Sequence, residues 1–600
     1  MGLDPWGGIV DTWGPTQLTA TVEVVDQYAM AFDPCVEMLG RGRWQYDASR
    51  SLGRFAAAPK DRPRRIAMPV DPKRESWKPG MSFEYAVEEL EYVKDLAKEM
   101  GGPERIKRQH DGGRYTIRER VEKFVDPGSF IEAGPLVGAA EYDDDGNMTS
   151  FTPGGFVMGL AEVNGRPVSI GGDDFTISGG SPHNVRKGAS QFTQPLSLQY
   201  GIPYVQLIEG VGHSSKSDET QGHMGLPSGE QWHRSARLLA RVPVAAGIMG
   251  SVAGAPAAYA LMSHFTVMIK GQSQIFPSGP PVVQRAIGEK LNKEELGGAQ
   301  MHVHDSGQVD NEAETEEEAF EQIKAFLSYL PNSTNEVPPR VETGDDPNRR
   351  VEELLTIMPV DRRRAYDPRK LIELVVDNGE FFEMRRHWGG SLITGFARLD
   401  GYSVGIIGND PMVIAGAMDG DAADKYAHFV DLCDTFNLPV VIFLDMPGFM
   451  LGSWAEKKAT MRRGVRALIA SAEAKVPKVE FNVRKSYGVA ADAPNSLGHP
   501  DGLNLRFGWP AGEWGGIPIE GGVAAAYRRE IEAAPDPDAH RATIEERLLK
   551  MRSPMKAAQH FDVIDLIDPR DTRRLACTFV RLAQPMLRDL AAREKRAVRP

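Results

Sequence analysis

The alternation of apolar and polar positions in this chain is written twice. Apolar residues flank an Asn164-Gly165 turn and run through Val168, Ile170 and Gly172 to Asp174; the same order returns at Asp400-Gly401, Val404, Ile406, Gly408 and Asp410. Gly180, Pro203 and Val205 then match Gly416, Pro439 and Val441, each pair 236 residues apart, as Gly172 is from Gly408. Further on, Arg241-Val-Pro243 answers Lys475-Val-Pro477 at a separation of 234. A repeat of this length has to be recognised before any motif is read, because it changes what every motif means.

Each copy predicts the same elements. The Asn-Gly and Asp-Gly dipeptides between alternating segments are hairpin signals. Apolar residues at helical spacing over 420–436 predict an amphipathic helix. Short buried strands follow at 205–208 and 440–444, each leading to an acid, Glu209 or Asp445. Strands alternating with helices imply parallel sheets with crossover helices, hence two homologous α/β domains in tandem. The Pro-, Asn- and charge-rich stretch 332–350 reads as the linker between them. The expected organisation is an N-terminal extension over 1–78, a first domain over 79–335 and a second over 350–600. Residues 314–328, acidic first and then apolar at helical intervals, read as a solvated helix.

Composition narrows the class. With 41% hydrophobic and 26% charged residues the chain is globular rather than disordered or fibrous. A net charge of −13 argues against nucleic acid and against an anionic membrane surface as partners. Cys35, Cys433 and Cys577 share no short spacing, so neither a disulfide framework nor a four-cysteine zinc site is expected. With no secretory signal pattern at the start, the expected location is the cytoplasm. Residues 242–262 carry no charge and are long enough to span a bilayer. Their prolines, glycines and alanines instead suggest a buried strand, a glycine turn and a helix.

Several familiar patterns lead nowhere. Gly401-Tyr-Ser403-Val-Gly405 matches G-x-S-x-G, but Ser403 follows a hairpin turn and lies in a strand rather than on a strand-to-helix elbow. His302 and His304 would share one face of a strand; no third ligand is indicated nearby, the simpler reading is a loop, and no metal is expected. Ser553-Pro-Met555-Lys556 lacks the second methionine of a biotin attachment site and continues into an apparent helix, so Lys556 reads as a surface lysine. No P-loop and no G-x-G-x-x-G after a strand is present. What remains is a pair of small-residue turns at matching points, Gly254-Ala255-Pro256 and Gly488-Val489-Ala490-Ala491. Such turns can present backbone N–H groups to a ligand oxygen, or simply allow close helix–sheet packing. The turns alone do not choose between these.

A set of specific motifs does choose. They include Asp174-Phe-Thr-Ile-Ser-Gly-Gly180, Glu295-Leu-Gly-Gly-Ala299 and Leu327-Ser-Tyr-Leu-Pro331 in the first half. Gly408-Asn-Asp-Pro-Met412, Asp445-Met-Pro-Gly-Phe449 and Lys485-Ser-Tyr-Gly488 stand in the second. With these the chain resembles the carboxyltransferase β-subunit of biotin-dependent acyl-CoA carboxylases, the propionyl-CoA carboxylase group, over roughly residues 80–590. The resemblance implies two crotonase (ClpP-like) superfamily domains. It implies that CO2 moves from carboxybiotin on a partner carrier to the α-carbon of an acyl-CoA through an enolate. The biotin anion serves as the base, and the protein supplies proximity and amides for two oxygens. By motif position, the Gly254 and Ala255 amides would hold the thioester oxygen and those of Val489 and Ala490 the ureido oxygen of biotin. Gly179, Gly180, Gly210, Gly212 and Asp492 would line the acyl-CoA site, and Gly448, Phe449 and Gly488 the biotin site.

The cofactor implied is biotin, carried on a partner rather than attached here, with a biotin carboxylase and a biotin carboxyl carrier on other chains. The assembly implied is a homo-hexamer, a trimer of dimers, in which the N-half of one subunit meets the C-half of another. The same site would serve a decarboxylase running the transfer backwards, or survive in a non-catalytic paralogue. Glu209-Gly-Val-Gly-His213 and Gly254-Ala-Pro256 depart from the family pattern, as does Gly488-Val-Ala-Ala-Asp492, so the acyl group is left open.

Overall fold

The computed structural model describes residues 36–39, 43–46, 68–181, 192–212, 219, 222–224, 230–361, 364–494 and 504–598. The chain divides into two compact units, Met1–Arg65 and Ile66–Pro600. In the first, β1 (Val36–Leu39) and β2 (Arg43–Tyr46) pair antiparallel. The second unit contains both copies of the repeat.

Its two eight-stranded sheets correspond strand for strand. In spatial order the first is β4 (Ile131–Glu132), β7 (Phe156–Val163), β8 (Arg166–Asp173), β9 (Tyr204–Val211), β10 (Val244–Ala253), β11 (Phe265–Ile269) and β13 (Asn311–Ala313), with β12 (Gln274–Phe276) beside the end of β10. The second is β14 (Phe381–Met384), β15 (Leu392–Leu399), β16 (Tyr402–Asn409), β17 (Val440–Met446), β18 (Lys478–Tyr487), β19 (Asn504–Gly508) and β21 (Asp565–Leu566), with β20 (Glu513–Gly515) beside the end of β18. Register repeats as well. Ile170 pairs Val205 as Ile406 pairs Val441, and Ile208 pairs Ile248 as Leu444 pairs Asn482. The first three strands of each sheet pair antiparallel and the later neighbours parallel, the latter joined by crossover helices such as Glu230–Leu239 and Thr460–Glu473. β9, β10, β17 and β18 are covered on both faces; β10 and β17 accordingly read as near-continuous apolar runs, whereas β18 buries Lys478, Glu480, Asn482 and Arg484 between its apolar residues.

Local chemistry explains the hairpins. Asn164 and Gly165 have φ of 52° and 71°, Asp400 and Gly401 52° and 78°, the double left-handed turn that matches strand twist. One carboxylate braces each turn: Asp126 accepts the N–H groups of Asn164 and Gly165 at 3.0 and 2.7 Å, and Asp377 those of Asp400 and Gly401 at 3.1 and 2.7 Å. The repeat therefore begins earlier than the apolar pattern shows. Arg118, on helix Ile117–Phe124, grips Glu132 through two bonds of 2.9 Å, and Arg369, on helix Pro368–Val375, grips Glu383 at 2.6 and 2.8 Å. These pairs are 251 residues apart, a different separation from that of the strands, as Arg118 is from Arg369.

Two expectations need correcting, one at a helix and one at a loop. Helix Glu316–Tyr329 is not solvated: Phe320, Ile323, Phe326 and Leu327 are buried, and the Phe326 ring lies 5.0 Å from Phe265 of the first half and 6.1 Å from Phe396 of the second. Its acidic start suggested a surface, but Glu316 is itself buried, paired with Arg120 at 2.6 Å. The stretch 332–350 joins the two sheets without an element of its own and is fastened to both halves. Ser333 and Thr334 are buried, the Asn437 amide donates to the carbonyls of Thr334 and Glu336, and Arg340 pairs with Asp400. Residues 300–305 are not a loop but a π-helical turn, Gln300–Asp305. β5 (Gly138–Tyr142) and β6 (Met148–Pro153), inserted between β4 and β7, form a small sheet with β3 (Met68–Pro69) against helix Phe83–Lys98. Among the described residues, no helix is long and apolar enough to cross a membrane. The uncharged 242–262 run is β10, a glycine turn and helix Ala255–Leu261, as its composition predicts.

Candidate functional site: two glycine turns

At the end of the first sheet the glycines proposed for acyl-CoA come together. Ser178, Gly179 and Gly180 form a left-handed run with φ of 54°, 67° and 71°. A Cβ on Gly180 would stand 2.5 Å from the Glu209 carbonyl oxygen and 2.8 Å from Gly210 Cα; one on Gly210 would meet Gly180 at 3.1 Å. Gly180 cannot carry a side chain without moving backbone, and Gly210 could only if Gly180 gave way by a few tenths of an ångström. Gly212 donates its N–H to the Ala253 carbonyl at 3.0 Å, and its own Cβ would lie 3.0 Å from the Ala255 nitrogen. Gly254, at φ 74°, turns the chain from β10 into helix Ala255–Leu261, where Pro256 stands in the first turn.

The two amides assigned to the thioester oxygen differ. Ala255 N–H, at the first helical position, has no intrahelical acceptor. Gly254 N–H already donates to the Phe276 carbonyl, over a long 3.3 Å.

The biotin-side residues also gather. Gly488, at φ 64°, ends β18, and Val489 and Ala490 form the first turn of helix Gly488–Asp492, where N–H groups lack intrahelical acceptors. The Val489 side chain is half exposed while Ala490 is fully buried. Gly448, at φ 128°, sits where a Cβ would be 3.7 Å from the Tyr487 carbonyl oxygen, immediately before Gly488. Its own carbonyl accepts the Met418 N–H at 3.0 Å, and the Phe449 ring occupies the space Gly464 leaves by having no side chain. Asp492 ends this same helix and is exposed, so within one chain it sits with the biotin turn rather than with Gly179 and Gly180.

Under each turn lies a fully buried acid. Glu209 is held by Arg114 at 2.6 Å, Arg120 at 2.7 Å and the Gln109 amide at 2.7 Å. Asp445 is held by Arg484 at 2.8 Å and accepts the Lys485 N–H at 3.1 Å. Burial, then the Asp445 charge beside it, pushes the Tyr366 hydroxyl well above its ordinary pKa, while Arg484 stacks on its ring. These acids are visible in the sequence; the arginines that neutralise them are not, because they come from a distant loop and helix or from the neighbouring strand. A further residue was missed. Asp173, at the end of β8 beside Gly180, has its carboxyl pushed up to about 8 by burial and then by Glu209 and Asp174. The repeat itself was the available signal, since its counterpart is the neutral Asn409.

Ser403 lies in β16, paired with Arg398 across the hairpin, as expected for a strand serine. Lys556, on helix Pro554–Gln559, donates to the Lys550 carbonyl.

Residues 108–598 match the carboxyl transferase domain family. The propionyl-CoA carboxylase carboxyltransferase subunit of Haloferax mediterranei is 37% identical over 494 residues, 82% of this chain and 95% of that one. The methylmalonyl-CoA decarboxylase subunit alpha of Veillonella parvula is 34% identical, over 79% of this chain and 91% of its own. Among solved structures, transcarboxylase 12S, described as a hexamer with methylmalonyl-CoA and methylmalonic acid bound, aligns with a TM-score of 0.76 at 31% identity, covering 87% of this chain and 98% of that one. Doubled sheets, paired glycine turns and these relatives agree: the chain belongs to the carboxyl transferase domain family.

Proposed function

We propose that this chain is the carboxyltransferase subunit of a biotin-dependent acyl-CoA carboxylase. In this reading the first half takes an acyl-CoA and the second half takes biotin delivered on a partner's carrier domain. The observation that carries the reading is the pair of glycine turns, each at the same strand end of its sheet and each presenting first-turn amides. A carbonyl oxygen that gains negative charge needs fixed N–H donors, and a backbone turn supplies them without reorganising. Ala255, with Gly254 sharing its bond to Phe276, is placed for the thioester oxygen; Val489 and Ala490 are placed for the ureido oxygen. The residues around Gly488 fit biotin in kind, being small or apolar at the turn with free donors at its tip. Carboxybiotin supplies the CO2 and, after losing it, a base for the α-proton. The protein's own part is to hold both oxygens and bring the two carbons together. The 12S relative is a hexamer, and a hexamer in which N-half meets C-half is the assembly this reading requires.

Reconstitution with a biotin carboxylase and a carrier tests it: ATP- and bicarbonate-dependent carboxylation should appear with at least one member of an acyl-CoA panel. No carboxylated product from any member overturns it. The Veillonella relative's name motivates a second direction, decarboxylation, in which the same turns serve the reverse transfer. Loss of CO2 from a carboxyacyl-CoA to free biotin, measured without ATP, reads that direction separately.

A further inference from the structure

Where the two halves meet, two histidines and a glutamate converge. His304 lies on the π-helical turn Gln300–Asp305, Glu312 on the edge strand β13, and His387 in the loop after β14, the edge strand of the other sheet. His304 Nε2 is 3.1 Å from one Glu312 oxygen, and His387 Nε2 is 3.7 Å from the other. The two imidazoles lie face to face, with centroids 4.3 Å apart and planes inclined by 21°. One donor atom from each residue lies within 4.8 Å of the other two.

We propose that His304, Glu312 and His387 form a binding site for a borderline divalent transition metal, zinc above all, which ties the first half of the chain to the second. Two imidazole nitrogens and one carboxylate are a donor set suited to zinc rather than to magnesium or calcium. Metal–ligand bonds of about 2.0–2.2 Å in a tetrahedron put donors about 3.4 Å apart. The histidines approach different Glu312 oxygens at 3.1 and 3.7 Å, and the three donors, one from each residue, lie within 4.8 Å of one another, so an ion would draw them together by rotation of the imidazoles and the carboxylate. The side chains of His304 and His387 are 30% and 39% exposed, which leaves a fourth position open to water.

The surroundings hold the ligands in place. Arg385, two residues before His387 and at φ 54°, is pinned by its guanidinium to Asp310 and by its N–H to Asn311 at 3.1 Å. The Asn311 amide donates across to the Glu383 carbonyl at 3.1 Å. The residues just before Glu312 and the approach to His387 are thus fixed by contacts between the halves, which keeps the three ligands near one another. One group opposes the ion: Lys270 Nζ is 3.1 Å from Glu312, but it also pairs with Glu314 and can retreat there. π-Helical turns are rare and concentrate at functional sites, which accords with the position of His304.

The test uses the full-length protein, stripped with chelator and dialysed. Zinc chloride should bind at one ion per chain by calorimetry and raise the thermal midpoint in a concentration-dependent way, and cobalt(II) should give a tetrahedral ligand-field band. His304→Ala and His387→Ala should each lose the band and the zinc-dependent shift. His387→Asn serves if the alanine variant is not folded by circular dichroism. Lys270→Met should tighten zinc binding several-fold by removing the competing cation. Absence of binding by the parent protein, or retention of the band and the shift in both histidine variants, overturns the proposal.

Discussion

Set side by side, the two halves share a backbone and differ in their wiring. The left-handed run 178–180 returns at 414–416 with φ of 42°, 58° and 80°, although the residues change from Ser-Gly-Gly to Ile-Ala-Gly. A β-branched residue at φ 42° is strained, and Lys485, donating to the Ala415 carbonyl, braces that turn; the glycines of the first half need no such brace. The buried acids differ more. Glu209 reaches over Gly250, where a Cβ would be 2.4 Å from its carboxylate, to Arg120 on helix Ile117–Phe124 and Arg114 in the loop before it. The counterpart of Gly250 is Arg484, which neutralises the shorter Asp445 from the neighbouring strand. Geometry at the turns is thus common to both halves, and charge compensation was solved separately in each.

The sharpest way to break this comparison is to remove a compensating charge. Arg120→Leu leaves both Glu209 and Glu316 buried, and should cost about 3–5 kcal/mol in urea unfolding. A loss below 1 kcal/mol would mean that Arg114 and Gln109 suffice for Glu209. Next, Gly254→Val and Gly488→Val should each lower turnover in the reconstituted complex by about 10²-fold or more, since each distorts one set of donors. An effect confined to one half would show that only that turn bears charge. Third, Asp126→Ala should cost about 1 kcal/mol, the loss of a hairpin brace. Asp377→Ala should cost about 2–3 kcal/mol, because it also removes one of the two carboxylates that neutralise the buried Arg573, which sits 2.8 Å from Asp377 and 3.3 Å from Asp345. Equal losses would erase that distinction between the halves.

A fourth difference between the halves concerns protons. Asp173 holds its proton up to about pH 8 in the folded chain, while the ordinary aspartate value of 3.8 applies when unfolded. The folded state then binds more protons across that window, so this group's contribution makes stability fall as pH rises from about 4 to about 8. Asp173→Asn, which copies Asn409, should flatten that part of the thermal midpoint–pH curve; an unchanged slope would show that Asp173 is not its source.

Much of this was legible in the residues. The repeat, the hairpin turns and β10 with its glycine turn followed from periodicity and from Asn-Gly and Asp-Gly dipeptides, because those signals are local. The family resemblance identified the turns, and the structure gathers Gly180, Gly210, Gly212 and Ala255 around one of them. What stayed hidden depends on contacts between distant segments. The helix at 316–329 looked polar because Glu316 starts it, and only Arg120 makes that acid a buried one. The partner of His304 was equally invisible, since His387 lies in the other half of the sequence.

Helix Glu316–Tyr329 has one more consequence. It is encoded with the first half, yet Tyr329 stacks on Phe396 of the second at 5.9 Å, and Phe326 touches aromatic rings of both. Neither half can melt without stripping this helix of one wall. The duplicated chain should therefore unfold as one cooperative block, with a single calorimetric transition where two similar domains on a loose tether would give two.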